Sequence, residues 1–264
     1  MNVDQPDADA CPAGRVVLVG AGPGDPELLT IKAVRAIRAA SVLLVDDLVG
    51  DRVLRYARRG ARIVHVGKRG GCTSTPQAFI ERLMVAEAQR GETVVRLKGG
   101  DPMLFGRGGE ELAALRAHGI DVDVVNGITA GLAAATSIDV PLTHRAQARG
   151  VLFVTGHARA GAAEPHWPTI AAVAAHGVTI VIYMGVATID AVQRGLETGL
   201  PPATPVAIVQ HATRPEQRSW RTTLADLAAT VRRARVGSPA IVVVGDVAAV
   251  AEAGAIGTTG YAAA

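Results

Sequence analysis

Between Val94 and Glu111 the sequence reads VVRLKGGDPMLFGRGGEE. A short apolar run breaks into Gly99-Gly100-Asp101-Pro102, and a second glycine cluster, Gly106, Gly108 and Gly109, brackets Arg107. Adjacent glycines let a backbone approach a ligand closely. Arg107 offers a forked donor suited to carboxylate or phosphate. The plain alternative is a surface hairpin that uses its glycines for turns, and the acids and arginine crowded into the same loop weigh against it. A related arrangement comes earlier, where Val16–Val19 ends in Gly20-Ala21-Gly22-Pro23-Gly24-Asp25. This falls short of a dinucleotide fingerprint. The third glycine of that motif would stand at Asp25, and Pro23 removes an amide that would serve a pyrophosphate. A nicotinamide oxidoreductase is therefore the rival reading from another class. No glycine cluster is followed by Lys and then Ser or Thr, which disfavours nucleoside triphosphate hydrolysis.

Asp46 and Lys68 lie just beyond two apolar runs, Val42–Val45 and Ile63–Val66. If those runs are parallel strands, both residues sit on the edge that carries the glycine loops. A carboxylate and an ammonium there could relay protons, and they could equally form a structural ion pair. Arg69, Arg107 and Arg145 could gather several carboxylates, because guanidinium groups bind them in pairs of hydrogen bonds. The histidines show no HxxxH pair, so no metal site is expected. His118 and His176 each precede a glycine where a helix should end, which suits a C-terminal cap. Met184 precedes Gly185 at a strand end, a place for core packing or for contact with a ligand.

The elements that must position these residues alternate. Asp25 and Pro26 are expected to open a helix whose apolar positions recur from 28 to 40. Thr75-Pro76 should open another that closes at Gly91. A strand is expected at Asp121–Val125 and a helix of small residues at Ala130–Ser137. Pro141 to Arg145 reads as the hinge into a second half. Strands are expected there at Val151–Thr155, Thr179–Met184, Val206–Gln210 and Ile241–Val244, with helices near 168–176, 188–197 and 223–235. The alternation implies an α/β fold with mainly parallel pairing, in two α/β domains with a cleft between them. The expected domains are 14–140 and 141–250, with a disordered leader at 1–13 and a flexible tail at 251–264.

Bulk composition narrows the class. The 264 residues are 49% apolar, enough for a sizeable core, and only 3% aromatic, which argues against stacking platforms for nucleic acid. A net charge of +3 permits an anionic ligand without demanding a polyanion. Cys11 and Cys72 form no CxxC, so a reducing, cytoplasmic setting is expected. No basic-then-apolar signal and no long apolar run appear, so no membrane contact is expected.

Taken together, VGAGPGDPELLT (19–30), VDDLV (45–49), VGKRGG (66–71), RLKGGDPMLFGRGGEE (96–111), GIT (127–129), PLTHR (141–145), VTGH (154–157), YMG (183–185) and GSPAIVVVG (237–245) resemble the tetrapyrrole methylase family. The motifs run in register over residues 15–250. The resemblance is strongest to members that methylate uroporphyrinogen III at C2 and C7, making precorrin-2. It implies a homodimer, a ligand cleft between two α/β domains, and S-adenosyl-L-methionine as methyl donor, released as S-adenosylhomocysteine. It places the donor at Pro23, Gly99, Gly100, Asp101, Leu104, Thr129, Ala130, Met184 and Ala212. It places an acid/base pair on Asp46 and Lys68, with Arg107 and Glu110 beside the chemistry and Arg69, Arg107 and Arg145 on the substrate. A later precorrin is the alternative substrate within the family. The chain departs from the family at Asn126, commonly proline, at Ala130, commonly serine, and at Ala212, commonly glycine. Asp47 beside Asp46 leaves open which carboxylate faces the site. The dehydrogenase–ferrochelatase domain of fused sirohaem synthases has no counterpart here, so oxidation and iron insertion are not expected.

Overall fold

The computed structural model describes residues 14–67, 75–157, 161 and 163–253. Lys68, Arg69, Cys11, Cys72, the leader and the last residues of the tail lie outside them. The chain divides into two compact units, the first ending at Thr129 and the second beginning at Ala130.

The first unit holds a five-stranded sheet in the order β3-β2-β4-β1-β5, with β1 at Arg15–Gly20, β2 at Val42–Val45, β3 at Arg62–His65, β4 at Thr93–Lys98 and β5 at Asp121–Val125. All pairs are parallel. Side chains of a strand alternate between faces, so each strand serves two cores. Val17, Val19, Leu43, Val45, Val95 and Leu97 pack with Ala33 and Ile37 of helix α1 (Ile31–Ala39). Val16, Leu18, Val42, Leu44 and Val94 pack with Ile80 and Met84 of α2 (Gln77–Gln89) and Leu115 of α3 (Gly108–Ala117). Asp25 does act as a cap with Pro26 behind it, but of a single 3-10 turn, Pro26–Leu28. The long helix starts later, at Ile31, where the Thr30 hydroxyl accepts from the Ala33 amide at 3.1 Å. His118 caps α3 as expected, its Nδ1 lying 2.8 Å from the Ala114 carbonyl.

The second unit begins with the small-residue helix α4 (Ala130–Thr136), ahead of the expected boundary at 140/141. The cause is local. The Gly131 amide donates to the Tyr183 hydroxyl at 2.7 Å, and α4 lies on β7 and β10 of the second sheet. That sheet runs β6-β7-β10-β8-β9, with β6 at Gly150–Thr155, β7 at Val178–Tyr183, β8 at Pro205–Gln210, β9 at Arg218–Thr223 and β10 at Ala240–Val244.

Mainly parallel pairing does not hold here. Only β6 and β7 pair in parallel, and β10 runs antiparallel to both neighbours. The reason is β9, RSWRTT, a polar edge strand with no apolar alternation to announce it. Residues 211–217 turn β8 back into a hairpin, which forces antiparallel pairing. The helix expected at 223–235 is correspondingly shorter, α7 at Leu227–Ala234. Helices α5 (Trp167–Ala174), α6 (Ile189–Leu196) and α7 cover one face over Ile180, Ile182, Val206, Ile208, Val242 and Val244. Among the described residues, no helix is long and apolar enough to cross a membrane.

Three loops at the C-terminal edge of the first sheet meet backbone to backbone. A Cβ on Gly20 would lie 2.7 Å from the Gly100 carbonyl oxygen, and one on Gly127 would lie 2.8 Å from the Gly20 Cα. Gly127→Ala is therefore expected to lower stability by about 1–3 kcal/mol, the usual cost of overpacking. Gly109→Ala, in α3 with nothing within 4 Å of the added methyl, should be neutral or stabilising by up to about 1 kcal/mol. Urea midpoints of the two variants check the pair; equal midpoints would refute the close approach.

Candidate functional site

In the first unit, the described candidate residues gather on one edge. Parallel strands end on the same side, so the loops after β1, β2, β4 and β5 emerge together. Pro23 follows β1, Asp46 follows β2, Gly99 to Asp101 follow β4, and Thr129 closes the loop after β5. The Gly22 and Gly100 backbones form a two-way bridge, with the Gly100 amide donating to the Gly22 carbonyl at 2.8 Å and the return bond at 3.2 Å.

Asp101 ties this edge together. Its Oδ1 accepts from the Met103 amide at 2.8 Å. Its Oδ2 accepts from the Gly127 amide at 3.1 Å and from the Asn126 side-chain amide at 3.2 Å. A carboxylate offers about four acceptor positions, so one remains for a ligand. Asn126 thus holds the Asp101 loop by a side-chain bond that a proline at that position could not make.

Arg107 stands at the head of α3 with a left-handed backbone, φ 57°, and Phe105 two residues earlier shares that region at φ 53°. Non-glycine residues there are strained and tend to gather at functional sites. Glu110 grips the guanidinium, with Nε donating to Oε1 at 3.0 Å and Nη2 to Oε2 at 2.5 Å. This bond raises the Arg107 pKa further. Both side chains are half exposed, so the pair orients the arginine more than it stabilises the fold. Leu104 is half-buried in the same loop.

Asp46 is the better placed of the two neighbouring acids. It is partly buried, whereas Asp47 is exposed. The Asp46 Oδ1 accepts from the Asp47 amide at 3.0 Å, and its Oδ2 lies 3.5 Å from Arg96 Nη2.

Arg96 belongs to a charged group that the sequence does not announce, because it stands inside the otherwise apolar run of β4. Arg96 and Lys98 alternate onto the face of α2 and α3, where both are buried. Glu111 of α3 meets them, fully buried. Its Oε1 accepts from Lys98 Nζ at 3.0 Å, Arg96 Nε at 3.3 Å and Gln77 Nε2 at 3.1 Å. Burial, then the neighbouring Arg96, push the Lys98 pKa down. The available signal was two cations at alternate positions of a strand otherwise buried on both faces.

In the second unit, Met184 follows β7, exposed, with φ 54°, and His211 follows β8 with φ 52°. The strands β6, β7 and β8 all end on one edge, and Ala212 lies buried beside His211. Ala130 opens α4 and is half-buried; Arg145 is exposed.

The chain is similar to several known proteins. The model of the tetrapyrrole (corrin/porphyrin) methylases matches residues 15–228. A uroporphyrinogen-III C-methyltransferase of Pseudomonas aeruginosa is 52% identical over 236 residues, which covers 89% of this chain and 94% of that protein. A uroporphyrin-III C-methyltransferase of Thermus thermophilus, solved with S-adenosyl homocysteine, has a TM-score of 0.77 at 42% identity, covering 90% of this chain and 100% of its own. A cobalt precorrin-4 methyltransferase has a TM-score of 0.78 at 28% identity, covering 89% and 95%. With a family model matching residues 15–228, most of its length, the chain belongs to the tetrapyrrole (corrin/porphyrin) methylases.

Proposed function

We propose that this chain transfers methyl groups from S-adenosylmethionine to carbons C2 and C7 of uroporphyrinogen III, giving precorrin-2 and S-adenosylhomocysteine. The 52% identity to the Pseudomonas aeruginosa enzyme, across 94% of its length, carries this reading. A second reading, methylation of a later precorrin, draws on the fold shared with the cobalt precorrin-4 enzyme, at the lower identity of 28%.

The residues present suit the donor. Asp101 keeps an acceptor position for a hydroxyl or ammonium, on a loop whose backbone is already braced by Gly22. The bound sulfonium supplies an electrophilic methyl, and the electrons of its S–C bond return to sulfur. The chain's own task is alignment and proton management. The methylated pyrrole must lose a proton, and Asp46, fixed through both carboxylate oxygens at the sheet edge, takes it. Lys68, the other member of the pair by resemblance, completes the exchange. Arg107 meets a substrate carboxylate through its Nη1 end, since Glu110 occupies the Nε and Nη2 edge. Arg69 and Arg145 take further carboxylates, which uroporphyrinogen III carries on every pyrrole. The reading includes a homodimer in the cytoplasm and a product that feeds sirohaem or cobalamin synthesis, on the strength of the family resemblance.

The deciding assay is anaerobic incubation with S-adenosylmethionine and enzymatically generated uroporphyrinogen III, read by mass spectrometry. Gain of two methyl groups with release of S-adenosylhomocysteine is expected. Donor binding with no methylation of this substrate would favour the later precorrins. Asp101→Ala should weaken donor binding by about 1–3 kcal/mol, the range for a lost hydrogen-bonding partner, and unchanged affinity by calorimetry would remove Asp101 from the donor site. Arg107→Ala should abolish most turnover while calorimetry shows donor binding intact; loss of donor binding instead would reassign Arg107.

A further inference from the structure

We propose that Arg96 is a positioning residue for Asp46, held in place by the buried carboxylate of Glu111. The proposal rests on the assignment of Asp46 as the proton acceptor and adds what keeps that carboxylate aimed.

The register of the sheet puts the two residues together. Arg96 lies opposite Leu44 where β4 pairs with β2, and Asp46 is two residues beyond Leu44, so its side chain leaves on the same face. The guanidinium is anchored on every side. Nη1 donates to the Leu97 carbonyl at 3.1 Å and lies 3.5 Å from that of Leu44. Nε donates to Glu111 Oε1 at 3.3 Å. Nη2 is left facing Asp46 Oδ2 at 3.5 Å. The Arg96 side chain is 3% exposed and that of Asp46 is 33% exposed. The contact therefore joins a fixed, dry cation to a carboxylate at the boundary with solvent. With Oδ1 held by the Asp47 amide, neither carboxylate oxygen can swing away without breaking a bond.

The composition of the group argues for a role beyond stability. Below it on the same face stand Val42, Leu44 and Val94, and an apolar residue at position 96 would continue that core. Buried ion pairs often stabilise less than apolar residues of similar size. Yet here Arg96 and Lys98 are set against Glu111 and Asp46, so the charges balance only when Asp46 is counted. Three donors converge on one oxygen of Glu111, which makes α3 the fixed wall against which Arg96 is braced. Helix α3 begins beside Arg107 and carries Glu110, so the same helix orients a substrate arginine on the surface and the Asp46 support beneath.

The test is a double-mutant cycle on the full chain. Arg96→Lys keeps the buried positive charge that Glu111 requires and removes the fork. Turnover is expected to fall about tenfold or more, the scale for a misplaced reacting group, with KM for uroporphyrinogen III and donor affinity by calorimetry within about twofold. In the Asp46→Asn background the same substitution should change turnover by less than about twofold, because the carboxylate it acts through is gone. Equal losses in both backgrounds, or full turnover by a folded Arg96→Lys protein, would overturn the proposal. If Arg96→Lys does not fold, Glu111→Gln weakens the Nε anchor by removing its charge while keeping the shape; its turnover should fall with the same dependence on Asp46, and unchanged turnover would count equally against the idea. Failure of the wild-type chain to methylate uroporphyrinogen III would instead overturn the activity, and an undiminished Asp46→Asn would overturn the role of Asp46.

Discussion

Everything at the edge of the first sheet depends on three stretches of backbone lying closer than any side chain would allow. Gly20, Gly100 and Gly127 end or follow three neighbouring strands, and their main chains touch. The contact sets where Asp101 can reach, because the Gly127 amide that it accepts from belongs to the same junction. It also fixes the path of the chain into Leu104, Arg107 and α3. The loops are therefore not independent arms. They form one braced surface, with the Gly22–Gly100 bridge as a short extension of the sheet beyond its strands.

Beneath that surface the interior changes character. Through most of its depth the face under α2 and α3 is aliphatic. At the last turn of the strands it becomes ionic, with Arg96, Lys98 and Glu111 shut away from water. Bringing such groups out of water costs several kcal/mol for each ion, and they persist only when each meets a partner. The depression of the Lys98 pKa records that cost, since burial and Arg96 together outweigh the pull of Glu111. A chain selected for stability alone would close this layer with leucines. The ionic layer ends at Asp46, on the border with solvent, which makes the buried charges the foundation of a half-buried one.

The second unit reaches a comparable edge by different means. Its sheet is mixed, and its loops turn sharply on non-glycine residues, Met184 and His211, with left-handed backbones. Such positions cost about 1–3 kcal/mol each and are retained where the surrounding packing over-determines them. Here the packing is supplied by strands β7 and β8, whose apolar residues are almost wholly buried up to the last position before each turn. Rigid strands thus pay for the awkward conformations that aim the loops.

Much of this was legible in the amino-acid order, and the limits have physical reasons. Apolar runs ending in glycine or acid marked β1, β2 and most of β4, because a strand buried on both faces is largely apolar. The motifs also named the residues of the candidate site in linear order, from Pro23 to Ala212. Three things were decided only by tertiary structure. Strand β9 owes its pairing to a hairpin with β8, and its polar sequence carries no period that could announce it. The start of the second unit at α4 depends on a hydrogen bond from Gly131 to Tyr183, residues far apart in the chain. The link from Asp46 to Arg96 and Glu111 depends on register between β2 and β4 and on the placement of α3. Composition and spacing report what a segment can bury and where it must turn. Which distant charges come within hydrogen-bonding distance is set by how strands align and helices settle on them, and that alignment is a property of the whole fold.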